Sequence, residues 1–375
     1  MPDETEVRAA LDEVLDPVLR RPITTLGIVA DVTAERDRVQ VSLADPLERP
    51  REPLVRAVEE ALGALGDLDL EVDVRDMGEA EVKRTAASLR GEAPDPLRVV
   101  DATAPEQPRE RVNPFTDART RVLAVASGKG GVGKSSVTTN LSIALAARGH
   151  RVAAVDADVW GFSMPRMLGI DHPPALIDEL IIPPEANGVR LISMGFFARD
   201  DQPVVWRGPM LHKALEQFLT DVYWDDPDFL VVDMPPGTGD ISLSMAQFLP
   251  RAEFVVVTTP QLAAQRVAQR AAYMAKKVNL DVLGVIENMS WFRGDDGKVY
   301  EIFGSGGGAA LAETLEAPLL GQVPLVPALR VGGDAGRPIV VAHPDDESSV
   351  AFAEIAARVE GLAPKRIHQP ELKIV

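Results

Sequence analysis

The residues most able to do chemistry are GKGGVGKSS, 128–136. Gly128, Gly133, Lys134 and Ser135 satisfy G-x-x-x-x-G-K-[ST], and the flanks are those this pattern needs: the apolar run RVLAVAS before it and the helical stretch VTTNLSIALAARG after it. Glycines at 128, 130, 131 and 133 let backbone N–H groups, including that of Val132, converge on phosphate oxygens. The helix start carrying Ser135 and Ser136 adds partial positive charge. Lys134 neutralises phosphate charge, and the Ser135 hydroxyl is a candidate magnesium ligand. A glycine-rich turn with no ligand is the plain alternative, and the strand-loop-helix order argues against it.

Further side chains belong to the same chemistry. In VDADVWG, Asp156 and Asp158 follow an apolar run, and in FLVVDMPPGTGD another run ends at Asp233. A carboxylate past the C-terminal end of a strand stands where open α/β sheets bind ligands, placed to orient water or a metal ion. Asp233 is the candidate Walker B carboxylate and metal ligand, either Asp156 or Asp158 is placed to orient water or the metal ion, and Gly237 and Gly239 allow a mobile switch. Lys129, inside the loop, is either a solvated charge or a cation that stabilises phosphoryl transfer. Asn288 ends DVLGVIEN and by itself reads as a turn-forming residue after a strand.

These residues need elements to hold them. From about Thr120 the chain alternates short apolar runs (RVLAVAS, RVAAVDAD, VRLISM, DFLVVDM, EFVVVTT, DVLGVIEN) with helical stretches. Runs this apolar suit strands covered on both faces, so residues 119–375 are expected to form an α/β domain with a mainly parallel sheet between helices. PMLHKALEQFLTDV is one such helix, with Pro209 at its start and Leu211, Leu215, Phe218 and Val222 on one face. Residues 1–90 read as a small α+β domain. Asp3 and Glu6 have capping-box spacing ahead of a helix; TTLGIVADV, RVQVSL and LDLEVDV read as strands, and Val55, Val58, Leu62 and Leu65 as a helical face. Residues 91–118 have linker composition, with five prolines from Pro94 to Pro114.

Composition narrows the function. A formal charge of -18 opposes nucleic-acid binding, and no long Lys/Arg run offsets it. With no cysteine, the chain forms no disulfide and no thiolate metal site of its own. The five histidines lack ligand spacing. MPDETEVRAALDEV has no signal-peptide pattern, no apolar run reaches the roughly 18–20 residues of a membrane span, and APKRIHQPELKIV lacks a basic amphipathic helix. A cytoplasmic protein without stable membrane association is expected.

Taken together, KGGVGKS with Lys129, DADVWGFSMPRMLG, RGPM at 207–210, DMPPGTGD and ENMS resemble the Mrp/ApbC family of P-loop ATPases, relatives of the MinD/ParA group with the deviant Walker A motif. DPVLRRPITTLGIV resembles the iron-sulfur assembly-type small domain that often precedes such an ATPase. The resemblance implies an ATP- and Mg2+-dependent homodimer in which Lys129 reaches the partner's nucleotide. By the same resemblance Lys134 and Ser135 are expected to hold phosphate and magnesium, Asp158 to help activate water, Asp233 to be the Walker B residue and Asn288 to recognise adenine, the alternative for Asn288 being a turn residue. It also implies a part in iron-sulfur cluster assembly or transfer, with assembly or acceptor proteins as partners. Family members hold an iron-sulfur cluster between C-x-x-C pairs just past ENMS. Here that place reads WFRGDDGKVYEIFG, and a cysteine-proline pair of the small domain corresponds to Arg49 and Pro50. Arg and Asp do not replace thiolate at a cluster. Two other readings stay open: a nucleotide-switched dimeric docking or scaffold protein without cluster cargo, and a MinD/ParA-type positioning ATPase.

Overall fold

The computed structural model of the chain describes residues 2–35, 38–66, 68–92, 113–116, 119–158, 161–197, 208–236, 244–245, 247–261, 264, 268–270, 273, 276–277 and 280–362. Gly237, Gly239, Arg207 of the RGPM motif, nearly all of the proline-rich stretch and the tail APKRIHQPELKIV lie outside them. The chain divides into two units. Met1–Glu110, Pro174–Ile182 and Asp221–Asp225 form the first, and Arg111–Pro173, Pro183–Thr220 and Asp226–Val375 the second. The division thus differs from a single cut near residue 118: two later segments belong to the first unit, and Phe115, in the stretch read as linker, is buried within the second.

In the first unit the order is helix α1 (Glu4–Asp12), strands β1 (Val29–Glu35) and β2 (Arg38–Asp45), helix α2 (Glu52–Gly63), strand β3 (Asp69–Asp76) and helix α3 (Glu79–Leu89). The Asp3–Glu6 capping box forms as the spacing requires: Glu6 N donates to Asp3 Oδ1 at 2.9 Å and Asp3 N to Glu6 Oε2 at 3.0 Å. TTLGIVADV is strand only from Val29, because Thr24–Gly27 turns, with Gly27 at φ +69°. β2 is central, antiparallel to β1 and parallel to β3, and its alternate residues Val39, Val41 and Leu43 enter the core. The core also takes Ile177, Leu180 and Ile182 from the hairpin β6 (Ala175–Ile177) and β7 (Leu180–Ile182), and Tyr223 from the second inserted segment.

The second unit is built on an eight-stranded sheet. Its members in chain order are β4 (Arg121–Ser127), β5 (Val152–Asp156), β8 (Glu185–Ala186), β9 (Val189–Ser193), β10 (Phe229–Asp233), β11 (Glu253–Thr258), β12 (Asp281–Asn288) and β15 (Leu319–Val323). In space they run β15-β12-β11-β4-β10-β5-β9-β8, all parallel except β8. All six apolar runs are strands, and β4, β5, β9, β10 and β11 are buried along nearly their whole length, the signature of a sheet covered on both faces. The covering helices include α4 (Lys134–Ala147), α5 (Met164–Leu168), α6 (Gly208–Thr220), α7 (Gly307–Leu315), α8 (Pro327–Asp334), α9 (Ile339–Ala342) and α10 (Glu347–Gly361). β4 lies between β11 and β10, so the chain leaves it toward either side of the sheet. The loop after β4 therefore sits at the topological switch point, where such sheets bind ligands.

After ENMS the chain makes a small antiparallel ribbon, β13 (Phe292–Arg293) with β14 (Val299–Tyr300). Trp291 Nε1 and Arg293 both donate to Glu347 at the start of α10. Asp296 accepts from Lys298 N at 3.0 Å and from the Tyr300 hydroxyl at 2.9 Å. The place where relatives are expected to carry thiols is therefore a formed turn closed by its own charges. The base of this excursion is tied as well, because buried Glu287 accepts from Gly308 N and from Gln322 Nε2. A Cβ on Gly308 would stand 2.6 Å from that of Glu287, so glycine is required by the approach of the carboxylate.

Candidate functional site

The loop between β4 and α4 has the backbone of an anion cradle. Gly131 and Gly133 have φ of +80° and +78°, conformations costly for other residues. Gly133 is also the N-cap of α4 and supplies no side-chain hydrogen bond, which leaves the first N–H groups of the helix for an incoming anion. Ser127 Oγ donates to the Lys129 carbonyl at 3.0 Å and holds the loop's near side. A cleft of about 350 Å³ opens over this backbone, lined among others by Lys129, Gly130, Gly131, Gly133, Lys134, Ser135, Ser136 and Asp158.

The charged groups meet at the bottom of the cleft. β10 pairs with β5 so that Asp233 and Asp156 are Cα partners at the C-terminal ends of adjacent strands. Asp233 is fully buried; its Oδ2 accepts from Ser135 Oγ at 2.6 Å and lies 2.7 Å from Lys134 Nζ. Its Oδ1 lies 2.7 Å from Thr138 Oγ1. Lys134 Nζ is also 3.5 Å from Asp158 Oδ2. An ammonium group only 6% exposed thus rests between two carboxylates, where it can turn to phosphate when that charge arrives. The adjoining Ser135 hydroxyl and Asp233 carboxylate are hard oxygen donors, the chemistry magnesium prefers, so these residues fit that ion.

Asp156 has a different place from Asp158. Its Oδ2 accepts from Ser193 Oγ (3.0 Å), Ser163 N (3.1 Å) and Met164 N (3.2 Å), and its Oδ1 from Asp158 N (3.3 Å). It caps the turn into α5 and thereby places Asp158, which stays at the cleft. Burial, and after it the charge of Asp233, push Asp156 up to about 7.

Of the expected residues, Gly128, Val132, Asp233 and Asn288 lie off the cleft wall. Gly128 and Val132 shape the loop, and Asp233 acts from beneath it through Lys134 and Ser135. Asn288, 2% exposed, stands behind Gly133: its Nδ2 donates to the Val132 carbonyl at 2.8 Å, and a Cβ on Gly133 would collide with that nitrogen. Asn288 Oδ1 has no hydrogen-bond partner among the described residues, a buried acceptor suited to an amino group. Lys129 Nζ reaches Gln261 Oε1 at 3.3 Å. Sequence reasoning missed Thr138, three residues beyond Ser135 and hence on the same helix face, a spacing that signals a shared partner. It also missed Gly161, Ser163, Met167 and Pro236 on the cleft wall, whose types carry no such signal.

The family model described as NUBPL iron-transfer P-loop NTPase matches residues 118–360, which include the cradle, both carboxylate strands and Asn288. The chain belongs to this family. A second model, iron-sulfur cluster assembly protein, matches residues 4–74. Among relatives within the iron-transfer NTPases, the iron-sulfur cluster carrier protein of Mycobacterium tuberculosis is 43% identical, the alignment covering 96% of this chain and 93% of the relative. That of Bacillus subtilis is 38% identical over 86% and 88%. Among solved structures, a nucleotide-binding protein from Archaeoglobus fulgidus in complex with ADP has a TM-score of 0.54 and 32% identity over 62% of this chain and 91% of its own. The cell division ATPase MinD of Pyrococcus furiosus has a TM-score of 0.50 and 26% identity over 65% and 99%. P-loop NTPase architecture, nucleotide binding and ATPase chemistry in general follow. Among the described residues no helix is long and apolar enough to cross a membrane.

Proposed function

We propose that the chain is a Mg2+-dependent ATPase of the cytoplasm that serves iron-sulfur cluster assembly or transfer. The observation that carries this reading is the Lys134–Asp158–Asp233 arrangement beneath an open glycine cradle. Phosphate oxygens would take the loop N–H groups and draw Lys134 away from the two carboxylates. Ser135 and Asp233 would hold the metal ion, which when bound supplies charge neutralisation at the phosphates. Asp158, relieved of Lys134, would orient the attacking water, and Asn288 Oδ1 would accept from the adenine amino group. Lys129 would complete the nucleotide site of a second copy, making the working form a homodimer.

The relatives are named cluster carriers, yet this chain has no thiol. The cluster is therefore cargo held by the cysteines of an assembly or acceptor partner, and ATP turnover sets when that partner is engaged. Phosphate release by the wild type, Lys134→Ala and Asp158→Ala tests the chemistry. The wild type is expected to turn over slowly, Lys134→Ala to lose ATP binding, and Asp158→Ala to bind ATP while releasing phosphate at least about 100-fold more slowly, the low end of general-base contributions. Equal rates in all three would end the ATPase reading.

A further inference from the structure

The first unit does not close on its N-terminal sequence alone. Ile177, Leu180, Ile182 and Tyr223, all buried, complete a core shared with Leu19, Ile23, Val41 and Leu43. They come from Pro174–Ile182 and Asp221–Asp225, two stretches that leave the nucleotide-binding unit and return to it. The joint is specific in its polar bonds as well. The Tyr223 hydroxyl donates to the Leu19 carbonyl at 3.0 Å and accepts from Arg21 Nε at 3.1 Å. Arg21 lies 3.7 Å from Asp225, and Arg90 3.7 Å from Asp178. Ile181 N donates to the Asp221 carbonyl and Tyr223 N to the Ile181 carbonyl, each at 2.8 Å, so the two inserted stretches are bonded to each other.

The loop that receives Tyr223 is held from behind by a buried charge cluster. Asp16 accepts from Val18 N (2.9 Å), Leu19 N (2.8 Å) and the guanidinium of Arg49, and Arg49 Nε also donates to Asp45 Oδ2 at 2.9 Å. Both carboxylates are inaccessible. Arg49 thus fixes the 16–21 loop as a receptor for the inserted stretches.

Chain continuity gives this joint a use. Pro174–Ile182 follows α5, whose first amides are held by Asp156 and whose Met167 lines the cleft. Asp221–Asp225 follows α6 and leads into β10, which ends at Asp233. β10 is hydrogen-bonded on both sides, to β4 and β5, whereas residues 161–173 carry Gly161, Ser163 and Met167 of the cleft wall and lead directly into Pro174–Ile182, the route left for a change at the cleft. We infer that the N-terminal unit senses nucleotide occupancy: the inserted stretches link the state of the cleft to the stability of the joint among Leu19, Arg21, Ile181 and Tyr223. The inference rests on the nucleotide-binding reading, under which Lys134 exchanges Asp158 for phosphate and so changes the charge partner of the residue whose carbonyl accepts from Gly161 N ahead of α5. Linkage is reciprocal: if nucleotide shifts the joint, loosening the joint must shift nucleotide affinity by the same factor.

Hydrogen exchange on the full chain, with and without a non-hydrolysable ATP analogue and Mg2+, tests this. The analogue is expected to protect amides 130–136 and also to change protection at amides 18–21, 23, 181 and 223. An Arg21→Ala, Tyr223→Phe double variant, which leaves the cleft residues intact, is expected to shift the analogue's Kd at least about fivefold, the low end of allosteric coupling. Protection confined to the cleft, with the joint unchanged in the wild type, overturns the inference without recourse to any variant. So does an unaltered Kd in a double variant whose joint amides have lost protection. No protection at 130–136 would instead strike at nucleotide binding itself.

Discussion

At the scale of single residues the site separates groups that face the cleft from groups that shape the loop. Lys134, Ser135 and Asp158 face the cleft, whereas Asn288 holds the Val132 carbonyl from behind and offers only its unpartnered Oδ1. Asn288→Ala would remove both contributions, and the two leave different traces. Loss of the brace is worth about 1 kcal/mol, the net value of a typical hydrogen bond, and weakens ATP and GTP alike by roughly fivefold. Loss of the base contact weakens ATP alone. The expected outcome in equilibrium titrations is a drop in ATP affinity larger than that for GTP; an equal drop would confine Asn288 to bracing the loop. That the glycines, Lys134 and Ser135 gather at one loop was legible because glycines, lysine and hydroxyl occur at fixed spacing. The different duties of Asp156 and Asp158 were not, because which of two carboxylates caps a turn is decided by the chain that follows.

Among the elements, β4, β5, β9, β10, β11 and β12 could be read from apolar runs alone, since strands buried on both faces admit few polar residues. β6, β7, β8, β13 and β14 have two or three residues each, too few for any period to register. That blind spot hid the membership of Pro174–Ile182 in the first unit; Asp221–Asp225 was hidden because the helix read through Val222 ends at Thr220. The consequence is energetic. Burying an aliphatic or aromatic side chain stabilises by about 1.5–3 kcal/mol, so Ile177, Leu180, Ile182 and Tyr223 together contribute roughly 6–12 kcal/mol as an upper bound. Whole domains are stable by about 5–15 kcal/mol. A fragment of residues 1–110 is therefore expected to lack a cooperative urea transition, while the full chain retains protection at Val39, Val41 and Leu43 amides. A sharp transition of native amplitude in the fragment would show that its core closes without the inserted stretches.

For the molecule as a whole, the decisive fact is a P-loop cleft with Lys134, Ser135 and Asp158 on its wall in a chain that lacks cysteine. Iron-sulfur clusters select thiolate, and oxygen ligands from Asp and Glu hold iron without assembling sulfide-bridged clusters. The formal charge of -18 adds a complication, because an acidic surface gathers iron cations without any site. Loosely gathered iron is screened away by salt, since the Debye length is only about 3 Å at 1 M, whereas a ligated cluster withstands the same wash. Incubation of the purified chain with iron and sulfide, followed by desalting in 1 M salt, is accordingly expected to leave no cluster absorbance in the visible range. Adding a thiol-bearing acceptor should let absorbance persist in the acceptor's fraction alone. A stoichiometric cluster surviving on this chain by itself would place the cargo here, and would remove the reason for assigning its thiols to a partner.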